Sequence, residues 1–140
     1  MRAEGKLKHI GLSEVEVADI ERARAITPIA AVQNIFSLTR QRMRDTLDHC
    51  TAEGIAFMPY FPLGKGELAR PGGPVASYAA GLGATASQLA PAWLLHLSPW
   101  VVPIPGTSRV AHLEETLGAG DLCLDAERMA DLTARWSDAD

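Results

Sequence analysis

Residues 55–63 read IAFMPYFPL, a nearly continuous apolar segment. A strand with apolar side chains on both of its faces is typical of a parallel sheet that helices cover on each side. Gly54, a residue type that commonly ends helices, precedes the segment, and the glycine- and proline-rich loop 64–74 follows it. We therefore expect a buried parallel strand followed by a long loop.

Shorter apolar stretches on either side predict further strands. Two of them, 9–13 and 30–36, come before this segment, and a third, 100–108, comes after it. Pro103 and Pro105 indicate that the last of these strands ends early. Segments with helical spacing separate the stretches, and about four strand–helix units in succession predict a parallel sheet in an α/β fold.

Capping patterns predict where several helices begin. Ser13 with Glu16, and Thr85 with Gln88, have the spacing of a capping box, in which two side chains satisfy the amides at a helix start. Asp125 is expected to cap the last helix.

Composition and charge exclude several classes of protein. The chain has 140 residues, of which 47% are hydrophobic and 21% charged, and this is typical of one soluble domain spanning residues 1–140. Its net charge of -4 provides no general attraction for phosphates, so we expect no nucleic-acid partner. The sequence shows neither a secretory signal nor a membrane-spanning segment, which predicts a cytoplasmic protein with no membrane partner. Two isolated cysteines are too few for a disulfide framework or a zinc site.

Five fragments of the chain, taken in order, resemble the second half of an aldo/keto reductase. They are GKLKHIGLS, AAVQN, AFMPYFPLGKGEL, TASQLAPAWLL and VPIPGTSRVAHLEET, and the similarity extends over about residues 5–136. Members of that family are (β/α)8 barrels of more than twice this length. The resemblance implies a partial TIM barrel, in which the predicted strands correspond to strands five to eight and a C-terminal helix follows.

The resemblance also implies a site for a nicotinamide dinucleotide, NADP(H) or NAD, at the carboxyl ends of the strands. Ser13 and Gln33 match family positions that hydrogen-bond the nicotinamide carboxamide. Tyr60 matches the aromatic residue on which the nicotinamide ring stacks. Without the resemblance, a helix cap, a turn hydrogen bond and a core aromatic would be the expected roles of these three residues.

Two further segments match the rest of that cofactor site. Phe61, Leu63 and Lys65 match the loop over the pyrophosphate, although a solvated surface turn is an equal alternative for Lys65. The residues that match the adenosine site lie around a predicted helix start and are Ile104, Gly106, Thr107, Ser108, Arg109, His112, Glu115 and Thr116. In the family pattern, Arg109 or His112 would face the 2'-phosphate or the ring, and Glu115 and Thr116 would contact the adenine edge.

Three residues differ from the family pattern. Glu14 and Thr116 each replace a frequent Asn, and Pro91 replaces an aliphatic residue inside a helix that it is expected to kink. We therefore expect weaker dinucleotide binding than in an intact relative.

The family's acid/base residues, an Asp, a Tyr, a Lys and a His, belong to strands two to four, which the resemblance does not cover. We therefore assign neither a catalytic residue nor a metal ligand, and we expect the isolated chain to be inactive. Its four histidines are interpreted as surface or packing residues.

Two classes of function remain open. In the first, the chain carries the cofactor half of an NADP(H)-dependent aldehyde or ketone oxidoreductase. In the second, it is not an enzyme: it is a non-catalytic nucleotide-binding or assembly module, or a truncated gene product. A half-barrel would have two open sheet edges, which predicts self-association or pairing with a separate N-terminal half-barrel chain.

Overall fold

The computed structural model describes residues 4–137, and its centre is a three-stranded parallel sheet. The strands are β1 (Gly11–Ser13), β2 (Ala31–Gln33) and β3 (Ala56–Phe57), and they lie side by side in chain order. A helix connects each strand to the next, as parallel pairing requires. The predicted α/β alternation is confirmed, although the strands are shorter than expected.

Six α-helices accompany the sheet within residues 4–137. They are α1 (Val17–Arg24), α2 (Arg44–Glu53), α3 (Pro74–Gly81), α4 (Ala86–Leu97), α5 (Val110–Leu117) and α6 (Ala126–Trp136). Two 3-10 segments, Gly64–Gly66 and Gly118–Asp121, follow β3 and α5. In this described part of the chain, no helix has the length and apolar character needed to cross a membrane.

The fourth predicted strand, 100–108, is reduced to one parallel bridge between Phe57 and Val101. The Phe57 N–H donates to the Trp100 carbonyl, and the Val102 N–H donates to the Phe57 carbonyl, both at 2.8 Å. Pro59, two residues after the end of β3, has no N–H to donate to this segment, but its carbonyl accepts from the Ile104 N–H at 3.3 Å. The backbone pairing therefore reaches Ile104, with one hydrogen bond missing at Pro59.

The expected capping box of Ser13 with Glu16 is wrong. Ser13 is the last residue of β1, where its backbone is paired with that of Gln33. The cap comes three residues later: Glu16 is the N-cap of α1 and forms a capping box with Asp19. Strand pairing thus delays the start of the helix.

Other predicted helix ends are confirmed. The Thr85 side chain accepts from the Gln88 N–H, and the Thr85 N–H donates to the Gln88 side chain at 3.0 Å. Asp125 caps α6, and Gly54 ends α2 in the left-handed conformation. α4 runs as one helix with Pro91 buried inside it.

The core joins the sheet to α4. Leu12, Val32 and Phe57 occupy one register row across the sheet, and Val32 and Phe57 are fully buried. Phe36 packs edge-on against Phe57 with ring centroids 5.8 Å apart, and it stacks on Trp93 of α4 at 5.9 Å. This aromatic packing fixes the sheet against the helix whose first turn borders the candidate site.

Candidate functional site

A cavity of about 730 Å³ lies between the segment after β3 and the beginning of α5. This volume is within the range of small-molecule sites, roughly 300–1,000 Å³. Nine residues that the resemblance assigns to a cofactor line it, and these are Tyr60, Phe61, Leu63, Ile104, Gly106, Thr107, His112, Glu115 and Thr116. The fold therefore brings together two segments that are separated by about 40 residues of chain.

The β3 side of the cavity is formed by two aromatic residues in a sharp turn. Tyr60 is held to the neighbouring strand because its N–H donates to the Asn34 carbonyl at 3.1 Å. Phe61 has a φ of 53°, unusual for a residue with a side chain, and its ring meets that of Tyr60 edge-on at 5.0 Å. The pKa of the Tyr60 hydroxyl is raised mainly by desolvation and, to a smaller extent, by the Glu14 carboxylate.

The α5 side of the cavity is a helix start without a side-chain cap. Arg109 is the N-cap residue, and its own side chain makes no capping hydrogen bond. Its N–H instead donates to the Thr107 hydroxyl at 3.2 Å. Gly106 adjoins open space, because a Cβ built there meets no atom within 4 Å. The His112 N–H donates to the Arg109 carbonyl at 3.1 Å, so the amides of Val110 and Ala111 are the ones that the first turn of α5 could offer to an anion.

Further along α5, Thr116 is already engaged within the helix. It is buried, and its hydroxyl donates to the His112 carbonyl at 2.8 Å. Only the oxygen lone pairs of Thr116 remain for a ligand, whereas an Asn side chain would offer a donor as well.

Four other predicted residues, Ser13, Gln33, Ser108 and Arg109, are not among the residues that line this cavity. Ser13 and Gln33 are register partners at the carboxyl ends of β1 and β2, Ser13 being exposed and Gln33 half-buried. Ser108 and Arg109 are exposed immediately before α5. Lys65 lies in the 3-10 segment after β3, and its side chain is outside the described part of the structure.

Asn34 is a structural residue of the site that we did not predict. It is fully buried; its Nδ2 donates to the Val15 carbonyl at 2.7 Å, and its Oδ1 accepts from the Val15 N–H at 3.2 Å. This carboxamide ties the loop after β1 to β2. A polar amide directly after Gln33, at the end of a strand, was the available signal.

Ser87 and Leu113 also line the cavity and were not predicted. Ser87 belongs to the first turn of α4, and its position beside α5 is a tertiary contact. No local pattern in the sequence indicates it.

The histidine in α4, His96, is exposed and links α4 to the segment before α6. The Nδ1 of His96 lies 2.8 Å from the Ala92 carbonyl, and its Nε2 accepts from the Leu124 N–H at 3.2 Å. His96 also borders an open depression between α4 and α6 that is lined mostly by aliphatic groups. Within residues 4–137, no group of three or more His, Cys, Asp or Glu side chains could hold a metal ion.

The carboxyl ends of parallel strands are a common place for small-molecule sites in α/β proteins, and the cavity described above lies there. The family model described as "Aldo/keto reductase family" matches residues 1–137. This chain therefore belongs to the aldo/keto reductase family.

Two curated relatives show how much of the family the chain spans. It is 43% identical over 132 residues to the uncharacterized oxidoreductase C215.11c of Schizosaccharomyces pombe, covering 94% of this chain and 43% of the relative. It is 42% identical over 132 residues to pyridoxine 4-dehydrogenase of Escherichia coli, covering 94% of this chain and 46% of the relative. The chain thus spans about half the length of these relatives.

Solved structures agree with the family assignment. The thermostable aldo-keto reductase Tm1743, crystallised with the inhibitor epalrestat, superposes with a TM-score of 0.83 at 31% identity, over 94% of this chain and 50% of that one. An aldo-keto reductase from Klebsiella pneumoniae in complex with NADPH superposes with a TM-score of 0.83 at 26% identity, over 96% of this chain and 50% of that one. Aldo-keto reductases have the TIM barrel fold, and the described sheet of this chain is a three-stranded part of such an α/β arrangement.

Proposed function

We propose that residues 1–140 form a single domain that carries the cofactor-binding half of an NADP(H)-dependent aldehyde or ketone oxidoreductase. In this proposal the domain is the C-terminal half of a (β/α)8 barrel, containing strands five to eight. The observation that carries the proposal is the cavity between the end of β3 and the open start of α5. The K. pneumoniae relative crystallised with NADPH supports it.

The hydrogen-bond donors and the aromatic ring of the proposed site suit the chemical groups of a dinucleotide. Uncapped amides at the start of α5, with the guanidinium of Arg109 beside them, suit phosphate oxygens. The open space at Gly106 lets a ligand approach the backbone closely. The aromatic ring of Tyr60 suits a flat heterocycle.

In the proposed site each segment binds one part of the cofactor. Ser13 and Gln33 orient the nicotinamide carboxamide while Tyr60 supports the ring. The turn 61–65, with Phe61, Leu63 and Lys65, covers the pyrophosphate. The adenosine moiety lies along 104–116, where Arg109 or His112 meets the 2'-phosphate and Glu115 and Thr116 meet the adenine edge.

A bound reduced nicotinamide supplies hydride to a carbonyl carbon. The residues of this chain bind and orient that ring. We assign none of these residues as the proton donor for the carbonyl oxygen, because the family's acid/base residues lie outside the half that this chain matches. We expect weaker binding than in an intact barrel, because the nicotinamide end of the site would be shared with the other half.

Blocking the cavity tests the proposal. Gly106→Leu places a side chain in the open space, and we expect it to weaken NADP(H) binding, measured by calorimetry, at least tenfold. Gly120→Leu is the matched control, because a Cβ at Gly120 also meets no atom within 4 Å and Gly120 does not line the cavity. Equal binding by both variants would contradict the assignment of the cavity.

An assembly module is the second candidate function, and the sheet favours it. β1 is at one edge of the described sheet and the Val101 bridge at the other, and Gly11, Ala31 and Ala56 on one register row are not buried. Open edges and an uncovered face promote pairing with another chain. We propose self-association or pairing with an N-terminal half-barrel chain. Sedimentation at several concentrations tests this, and a monomer at every concentration would contradict self-association.

A further inference from the structure

Glu14 links the end of β1 to β2 and to the segment that follows β2. It directly follows Ser13 of β1, and its N–H donates to the Gln33 carbonyl of β2 at 3.0 Å. Its Oε1 accepts from the Ile35 N–H at 2.9 Å. Ile35 forms a parallel bridge with Tyr60, and the nearby Glu14 carboxylate contributes to the raised pKa of the Tyr60 hydroxyl.

The backbone at Glu14 is held in an uncommon conformation. Its φ is 54°, and Phe61 is the other residue with a side chain that has positive φ in residues 4–137. Such a conformation is unfavourable for residues other than glycine and persists only where neighbouring contacts fix it. The hydrogen bonds with Gln33 and Ile35 supply that constraint, so the carboxylate remains beside Ile35, the bridge partner of Tyr60.

We propose that Glu14 makes this site prefer the oxidised dinucleotide over the reduced one, an inference that rests on the proposed function. The oxidised nicotinamide ring carries a positive charge, whereas the reduced ring is neutral. A carboxylate near the residue on which the ring stacks attracts the charged, oxidised ring and not the neutral, reduced ring. A neutral amide at this position would not distinguish the two rings by charge.

The exposure of Glu14 limits the size of this preference. Its carboxylate is in contact with solvent, and salt and water screen its interaction with a nearby charge. We expect Glu14 to change the ratio of the dissociation constants for NADPH and NADP+ by about threefold, an effect of the size found for exposed ion pairs. The phosphates and adenosine are the same in both forms, so the ratio isolates the charge of the ring.

Calorimetric titration of the purified chain with NADP+ and with NADPH tests the proposal. Glu14→Gln removes the charge but keeps an oxygen that can accept from the Ile35 N–H. We expect this variant to lose about threefold of the preference for NADP+. Glu16→Gln removes the same charge two residues away, where the side chain caps α1, and should leave the ratio unchanged. Raising the salt concentration should reduce the preference of the unaltered chain.

A second readout tests the contact without any nucleotide. The chain has two tyrosines, so Tyr60 is the only one that titrates in a Tyr78→Phe background. In that background, Glu14→Gln should lower the pKa of Tyr60, measured by ultraviolet absorbance of the phenolate.

The outcomes separate this proposal from the proposed function. Binding of both nucleotides with an unchanged ratio in Glu14→Gln, a preference that does not vary with salt, or an unchanged Tyr60 titration would each overturn the role of Glu14 alone. Failure of the unaltered chain to bind either nucleotide would overturn both.

Discussion

The side-chain nitrogen of Gln88 lies 2.6 Å from the point at which a Cβ on Gly118 would sit. Gln88 belongs to the capping box of α4, and Gly118 follows the last residue of α5. Only a residue without a side chain permits this close approach. The end of α5, the helix that forms one side of the candidate site, therefore lies against the start of α4.

Replacing Gly118 should destabilise the protein. In Gly118→Ala the new methyl displaces the Gln88 carboxamide, which then loses its hydrogen bond with the Thr85 N–H. We expect a loss of about 1 kcal/mol, the usual cost of a lost helix cap. Urea unfolding measures it, with Gly120→Ala as the control because a Cβ there meets no atom within 4 Å. Equal stability of the two variants would show that Gln88 moves at no cost.

Arg109 should distinguish NADP from NAD. A guanidinium that meets the 2'-phosphate forms a charge-assisted contact that NAD cannot form, so Arg109→Ala should weaken NADP binding about tenfold and leave NAD binding nearly unchanged. Arg42→Ala removes an exposed arginine beside α2 and is the control. If both nucleotides lose affinity equally in Arg109→Ala, the residue does not contact the 2'-phosphate.

The 140-residue chain by itself should not reduce aldehydes. Transition-state stabilisation for this reaction needs a proton donor at the carbonyl oxygen, and we assign none to these residues. Incubation with NADPH and an aromatic aldehyde, followed by absorbance of the reduced cofactor, is the measurement. Two results together would place the catalytic acid in this chain. They are turnover by the unaltered chain, and loss of that turnover in Tyr60→Phe or on substitution of any of the four histidines.

Cys50 should make stability depend on pH in alkaline solution. Burial raises the pKa of its thiol from 9.0 to about 11. Between these values the unfolded chain releases the proton while the folded chain retains it, so stability falls as the pH rises from about 9 towards 11 and is unaffected below that window. The loss approaches about 2 to 3 kcal/mol. Urea unfolding of Cys50→Ala across this window should lack that component of the pH dependence, and an identical dependence in both proteins would contradict it.

Local patterns predicted the elements but not all of their ends. Thr85 and Gln88 form the expected cap because both partners lie within one turn of chain. Ser13 does not, because pairing with Gln33, a residue distant in sequence, holds it in a strand. Pro59 removes one hydrogen bond from the pairing with the 100–108 segment, and that loss depends on the register in which the two segments pair.

The candidate site was also predictable only in part, because some of its residues meet through contacts between segments distant in sequence. The resemblance indicated Tyr60 and the 104–116 segment, and the fold brings them to one cavity. The carboxamide of Asn34 and the approach of Ser87 to α5 are tertiary contacts, which no spacing in the sequence specifies.

Amide chemical shifts of the 140-residue chain during titration with NADPH test the proposed site most directly. We predict saturable shifts in residues 60–66 and 104–116, the two segments on either side of the cavity, and none in α6. An absence of saturable shifts, or shifts confined to the depression between α4 and α6, would contradict the assignment of this cavity to the dinucleotide.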